Sequence, residues 1–185
     1  MVRPVRPVGA ADYAIMGLLR ERPRHGYELA ESFHPGGDLA SVCGMPNNVL
    51  YAQIHRLERF RLVAGTPESI GTTRLRTVLR LTPAGERAFL AWLEQPVGRM
   101  REVRQDFLIK LYFSRRLPSH DTAGLLDRQI AACEVYLAER VRERRAAPAG
   151  SFEELLGQMR VSGARATLAW LREYRAEVPE MPASG

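Results

Sequence analysis

Cysteine is scarce in this chain and is placed where it can staple nothing. Cys43 and Cys133 lie 90 residues apart and form no CxxC pair. That argues against a disulfide framework, and with no stretch reading as a signal peptide the expected location is the reducing cytoplasm. Histidine is equally sparse: His25, His34, His55 and His120 share no ligand spacing with one another or with the cysteines, so no metal site is expected. Long apolar runs are missing, the longest falling far below the roughly 18 residues that span a bilayer. Catalytic signatures are missing too. There is no GxSxG, no phosphate-cradling glycine loop and no HExxH. Pro35-Gly36-Gly37 follows no strand, and Glu153 and Glu154 are explained by helix capping and the helix dipole. No catalytic residue and no cofactor is assigned, and an enzyme is the weakest reading. Lysine is nearly absent as well, but a bias to arginine reflects a GC-rich coding sequence as much as function.

What is present is a local concentration of positive charge. Over the whole chain the formal charge is only +6, and a 45% apolar content supplies core for one domain or two small ones. Residues 1–46 carry five arginines and five acids. Between Asn47 and Arg80 there are six arginines and two acids, a local +4. Charge gathered on one recognition-sized module points to a polyanionic partner more directly than a diffuse net charge does.

The module has a readable form. Asn47 to Phe60 reads as a helix with Val49, Leu50, Ile54 and Leu57 on one apolar face. Its other face carries Asn48, Gln53, His55, Arg56 and Arg59, side chains able to hydrogen-bond base edges and phosphates. Asn48 and Gln53 suit bidentate contact with adenine; Asn47 serves equally as an N-cap. Leu62 to Gly65 and Leu75 to Leu81 read as two strands around a polar tip, Thr66 to Arg74. Thr72, Thr73, Arg74 and Arg76 then form a basic wing, with Arg80 on the same side. Ahead of the module come a Pro-rich arm, Met1 to Val8, and helices over Ala11 to Arg22 and His25 to Phe33, with a loop from His34 to Gly44. After it Thr82 caps a linking helix that begins at Pro83. The expected architecture is mainly α: a winged helix-turn-helix of three helices and a two-stranded wing, residues 1–95.

Gln95-Pro96-Val97-Gly98 punctuates the chain, and residues 96–185 read as an all-helical domain. Met100 to Arg116 places Val103, Phe107, Leu108 and Leu111 on one face. A long helix begins near Asp121, and Leu126, Ile130, Cys133, Leu137 and Val141 form a coiled-coil-like seam along it. Ser151 and Glu154 fit a capping box for the last helix. Its stripe is Leu156, Met159, Gly163, Ala166, Trp170 and Tyr174. These seams either close an intramolecular hairpin or form a homodimer, and two-fold symmetry suits a protein that reads two half-sites on double-stranded DNA about 34 Å apart. Phe89 and Trp92 either line a small-molecule effector pocket or belong to the aromatic core. Cys43, just before the module helix, is the better redox-sensor candidate of the two cysteines.

Six short segments resemble the PadR family of winged-helix transcriptional regulators. They are Tyr13-Ala14-Ile15-Met16-Gly17-Leu18-Leu19 with His25-Gly26-Tyr27-Glu28-Leu29, then Leu50-Tyr51 with Leu57-Glu58, Leu81-Thr82-Pro83-Ala84-Gly85, and Asp106-Phe107-Leu108-Ile109-Lys110-Leu111. The resemblance implies a dimer, usually a repressor, whose helical C-terminal domain dimerises. It implies that Tyr27 and Tyr51 reach the DNA backbone and that Arg74 and Arg76 approach a minor groove. It also implies that a small molecule or stress signal lowers DNA affinity. Four departures stand out: a longer Gly-rich segment from Pro35 to Met45, Asn47-Asn48 where small hydroxyl residues are common, Arg61 where glycine is frequent, and Thr77-Val78 where the second wing strand often has an aromatic. The alternatives are a winged helix that docks a partner protein and a ligand sensor with secondary DNA binding.

Overall fold

The computed structural model describes residues 8–70, 74–118 and 120–179. Contacts divide the chain into two compact units, Met1–Leu93 and Glu94–Gly185.

The first unit runs α1 (Ala10–Glu21), β1 (Arg24–His25), α2 (Gly26–Phe33), α3 (Ala40–Cys43), α4 (Asn47–Arg59), β2 (Val63–Ile70), β3 (Arg74–Leu81) and α5 (Pro83–Glu94). This is a winged helix-turn-helix. Its core is contributed by every long element: Ile15, Met16, Leu18 and Leu19 from α1, Leu29 and Phe33 from α2, Leu50, Ile54 and Leu57 from α4, Val63 and Val78 from the sheet, and Phe89 and Leu93 from α5.

Three local features depart from the sequence reading. The wing belongs to an antiparallel sheet of three strands, ordered β1-β3-β2, because Arg24 and His25 pair with Leu79 and Val78. Strand β2 also continues to Ile70, through Pro67 opposite Thr77. Proline is tolerated there because β2 is an edge strand and its outer edge owes no ladder bond. The segment taken as a loop from His34 to Gly44 contains one helical turn, α3, pinned inward by the buried side chains of Leu39 and Cys43.

The corner after α4 is a Schellman turn. Leu62 N–H donates to Leu57 O at 3.0 Å and Arg61 N–H to Glu58 O at 2.9 Å. Arg61 takes the left-handed conformation, φ 57°, that glycine usually supplies. The corner is then clipped to α5: Thr82 Oγ1 donates to Arg61 O (2.8 Å) and accepts from Gly85 N–H (3.0 Å). Thr82 is therefore the N-cap expected of it. A β-carbon at Gly85 would fall 2.1 Å from Leu62 O, so only glycine lets α5 approach this corner.

The second unit holds α6 (Met100–Glu102), a π-helical turn (Val103–Phe107), α7 (Leu108–Ser114), α8 (Thr122–Ala146) and α9 (Phe152–Glu177), with no strand among the described residues. The expected single helix from Met100 is thus interrupted by one wide turn. Ser151 Oγ accepts from Glu154 N–H at 3.1 Å, as a cap should. The Glu154 carboxylate reaches one residue further back than the expected box and accepts from Gly150 N–H at 2.7 Å.

Helices α8 and α9 close an antiparallel hairpin. Its core joins Leu125, Leu126 and Cys133 to Leu168 and Leu171, and to Val103, Phe107 and Leu111, with Ile130 and Leu137 packed at its edge. Leu126, Ile130, Cys133 and Leu137 of the α8 seam therefore pack within the chain, with the inward face of α9 (Gly157, Val161, Ala164, Leu168, Leu171) opposite, which is the intramolecular of the two uses that the spacing allowed. The α9 stripe behaves oppositely: Met159 is 62% exposed, and Gly163, Ala166 and Trp170 also face outward.

Candidate nucleic-acid interface

On α4 the 3.6-residue period buries Leu50, Ile54 and Leu57 and turns Asn48, Tyr51, Ala52, His55 and Arg59 outward. Val49, assigned to the apolar face, is exposed, since it lies a full 100° from Leu50. The other expected readers differ from one another. Asn47 follows the actual N-cap, Pro46, and its Oδ1 lies 2.8 Å from His34 Nε2, tying the end of α2 to the start of α4. His55 is exposed, with Nδ1 3.1 Å from Glu58 Oε2. Gln53 is half-buried, and its Oε1 is shut in without a hydrogen-bond partner among the described residues. Arg56 points inward: its guanidinium pairs with the buried carboxylate of Asp12 on α1. Arg56, expected on the reading face, is drawn inward by Asp12, which lies 44 residues earlier and gives no sequence signal of the pairing.

A second set of side chains continues this face at the N-terminus of α2. The Glu28 carboxylate accepts from His25 N–H at 2.6 Å and from Arg22 at 2.8 Å. The backbone bond above all holds its pKa below the usual value. His25 Nδ1 lies 3.1 Å from Thr77 O, tying this helix start to β3. The Tyr27 ring stacks beside His25 with centroids 5.5 Å apart, and the Arg76 guanidinium lies over it at 5.6 Å. Tyr51 from α4 rests against Gly26. Tyr27, Tyr51 and Arg76 therefore form one exposed cluster joining α2, α4 and the wing. The Arg76–Tyr27 contact was not foreseen from sequence, although the His-Gly-Tyr motif marks its location.

Not every expected wing residue joins it. Arg80 is paired with Glu68 at 3.0 Å. Arg74 opens β3 opposite Ile70, while Thr72 and Thr73 lie outside the described residues.

The remaining candidates are packed. Phe89 is fully buried and Trp92 stacks on Tyr13, centroids 4.4 Å apart and 3° from parallel, so these rings are core and not a pocket lining. A groove of about 430 Å³ does exist on the second unit, lined by Val103, Arg104, Leu108, Ala166, Thr167 and Trp170. Cys43 is buried and burial pushes its thiol up to about 11, which favours the protonated, less reactive form at neutral pH. Among the described residues no cluster of His, Cys, Asp or Glu is placed to hold a metal ion, and no helix is long and apolar enough to cross a membrane.

Residues 15–91 match the model of the transcriptional regulator PadR-like family, from within α1 to near the end of α5. The first unit thus carries a PadR-like transcriptional regulator domain. Residues 103–178 match a second model, that of the virulence activator alpha C-terminal domain, from the π-helical turn through α9. The PadR-like family is one of regulators and not of enzymes.

A Bacillus subtilis protein described as negative transcriptional regulator PadR is 24% identical over 146 residues, 78% of this chain and 74% of its own length. Among solved structures, Bacillus subtilis PadR in complex with operator DNA aligns at TM-score 0.47 and 20% identity, covering 94% of this chain and 100% of that one. The PadR-like regulator BC1756 from Bacillus cereus aligns at TM-score 0.43 and 19% identity, covering 95% and 99%.

Proposed function

We propose that this PadR-like regulator is a homodimeric repressor that reads a specific double-stranded DNA site in the cytoplasm, acting by binding and not by catalysis. The observation that carries the reading is the continuous exposed face formed by Asn48, Tyr51, His55 and Arg59 of α4 with Tyr27 and Arg76. Such a face offers amide donors and acceptors for base edges, with guanidinium and phenol groups for phosphates at its margin. In this reading α4 enters the major groove, and the start of β3, from Arg74 to Arg76, follows the backbone or the adjacent minor groove. Repression is supported by the curated relative's description as a negative regulator. The exposed α9 stripe supplies the surface for the second copy. Release by a small molecule or stress signal completes the proposal, and the groove beside Trp170 gives such a ligand a place to act.

The test is fluorescence anisotropy with the DNA upstream of its own coding sequence, against random competitor, across a salt series. Competitor-resistant binding by two chains per site, weakening steeply with salt, is the expected result. No binding at low salt would overturn the DNA reading and favour a winged helix that docks a protein.

A further inference from the structure

We infer that Asp12 is a positioning residue for sequence reading, acting through Arg56 to fix the roll of α4 about its own axis. The inference rests on the DNA reading above and concerns how the reading face is aimed.

The Asp12 residue is 1% exposed, and its Oδ2 accepts both from Gly9 N–H at 2.8 Å and from the Arg56 guanidinium. One carboxylate thus holds the residue ahead of α1, the first turn of α1, and the last turn of α4. The pair is poorly satisfied as a stabilising device. Asp12 Oδ1 and Arg56 Nε are both buried without a hydrogen-bond partner among the described residues. A buried pair left in that state does not recover its desolvation, and apolar residues of similar volume serve stability as well or better. What apolar residues do not supply is direction. Leu50, Ile54 and Leu57 slide against the core at little cost over small rotations, whereas the contact of the Arg56 guanidinium with Asp12 Oδ2 is directional and narrows them. Arg56 sits one residue beyond His55 and eight beyond Asn48, so its setting fixes where both point. Base-edge hydrogen bonds need that direction; phosphate contacts tolerate its loss.

The discriminating variant is the double apolar replacement Asp12→Leu with Arg56→Met, compared with wild type and with the milder Asp12→Asn, which keeps an acceptor for Gly9 and Arg56. Three quantities are read: the ratio of affinities for the upstream site and random duplex, the salt slope, and the nuclear Overhauser contact between the Tyr51 ring and Gly26. For the double variant we expect an unchanged or raised melting temperature, an unchanged salt slope, a ratio at least about tenfold lower, and a weakened Tyr51–Gly26 contact. Asp12→Asn should keep most of the ratio, and it carries the test, through a small drop in ratio and contact, if the double variant does not fold. An unchanged ratio, or equal loss on both DNAs with the contact intact, overturns the inference. Wild-type protein without any preference for the upstream site overturns the DNA reading itself, while the Tyr51–Gly26 contact still decides whether the pair sets the roll.

Discussion

The ring of Tyr51 occupies the space that a β-carbon at Gly26 would need: the carbon would fall 2.7 Å from Tyr51 Cε1 and 3.0 Å from its hydroxyl. Glycine at the start of α2 is therefore a requirement of the neighbouring helix. Because the obstructing atoms end an exposed side chain, Gly26→Ala should displace the ring more than it disturbs the fold. The expected outcome is a stability change under about 1 kcal/mol, since alanine also favours helix, together with a clear loss of DNA affinity. Adding Gly26→Ala to Tyr51→Ala should cost nothing further. Additive losses in that cycle would show that the glycine matters for some other reason.

The reading face and its rim should fail differently. Asn48→Ala is expected to relax sequence preference, removing roughly 1–3 kcal/mol of discrimination if it makes a bidentate base contact. Arg76→Ala should weaken binding to all sequences alike and lower the salt slope by about one unit. Titrations on specific and random duplexes at several salt concentrations separate the two. Equal loss on both DNAs for Asn48→Ala would end its assignment as a base reader.

Arg61 gives a prediction about stability alone. It sits at the left-handed position of the Schellman turn that ends α4, where a side chain costs about 1–2 kcal/mol. Glycine avoids that cost but gives back part of the gain through its freer unfolded chain. Arg61→Gly should therefore raise the unfolding free energy by about 0.5–1 kcal/mol in urea titration, with the m-value unchanged. No gain would mean that the Arg61 side chain makes a compensating contribution in the folded state.

Much of the first unit could be read from its sequence because its signals are local. The 3.6-residue apolar spacing of α4, Pro83 at a helix start and Thr82 as a cap each act within a few residues of where they are written. The errors came where a distant residue decides. Arg56 turned inward because Asp12 lies across the core. Pro67 entered a strand because that strand is at an edge, a fact of sheet order. Strand β1 has only two residues and no period to detect. In the second unit periodicity located both seams but not their partners: the α8 seam and the α9 stripe look alike as sequence, and one is consumed in the hairpin while the other is not.

That difference predicts which substitutions break a dimer. Met159→Glu, on the exposed stripe of α9, should shift sedimentation toward the monomer while leaving helical content unchanged, because a charge at a desolvated contact is costly. Leu126→Ala should do the reverse. It empties part of the hairpin core at a cost of about 2–5 kcal/mol and acts through stability first. A Met159→Glu protein that remains dimeric would move the interface off this stripe.

Lys110 gives the second unit a pH dependence of known sign. It is buried, donating to Gln95 O at 2.8 Å, and desolvation lowers its pKa to about 8 from 10.5, although Asp106 opposes the shift. Below pH 8 the lysine is charged in both folded and unfolded chains, and the folded chain bears the whole cost of burying that charge. Between pH 8 and 10.5 the unfolded chain holds the proton that the folded chain has released, so this group makes stability rise with pH. The full effect is at most about 3 kcal/mol. Asp106, the charged group that opposes the shift, has its own pKa raised first by burial and then by Glu102. Cys43 and Cys133, both raised by burial, act in the opposite direction above pH 9. The measurement is therefore a difference: urea unfolding of wild type and Lys110→Met at pH 7, 8, 9 and 10. The wild type should gain on the variant steadily from pH 8 upward. A constant difference across the series would mean that Lys110 keeps an ordinary pKa despite its burial.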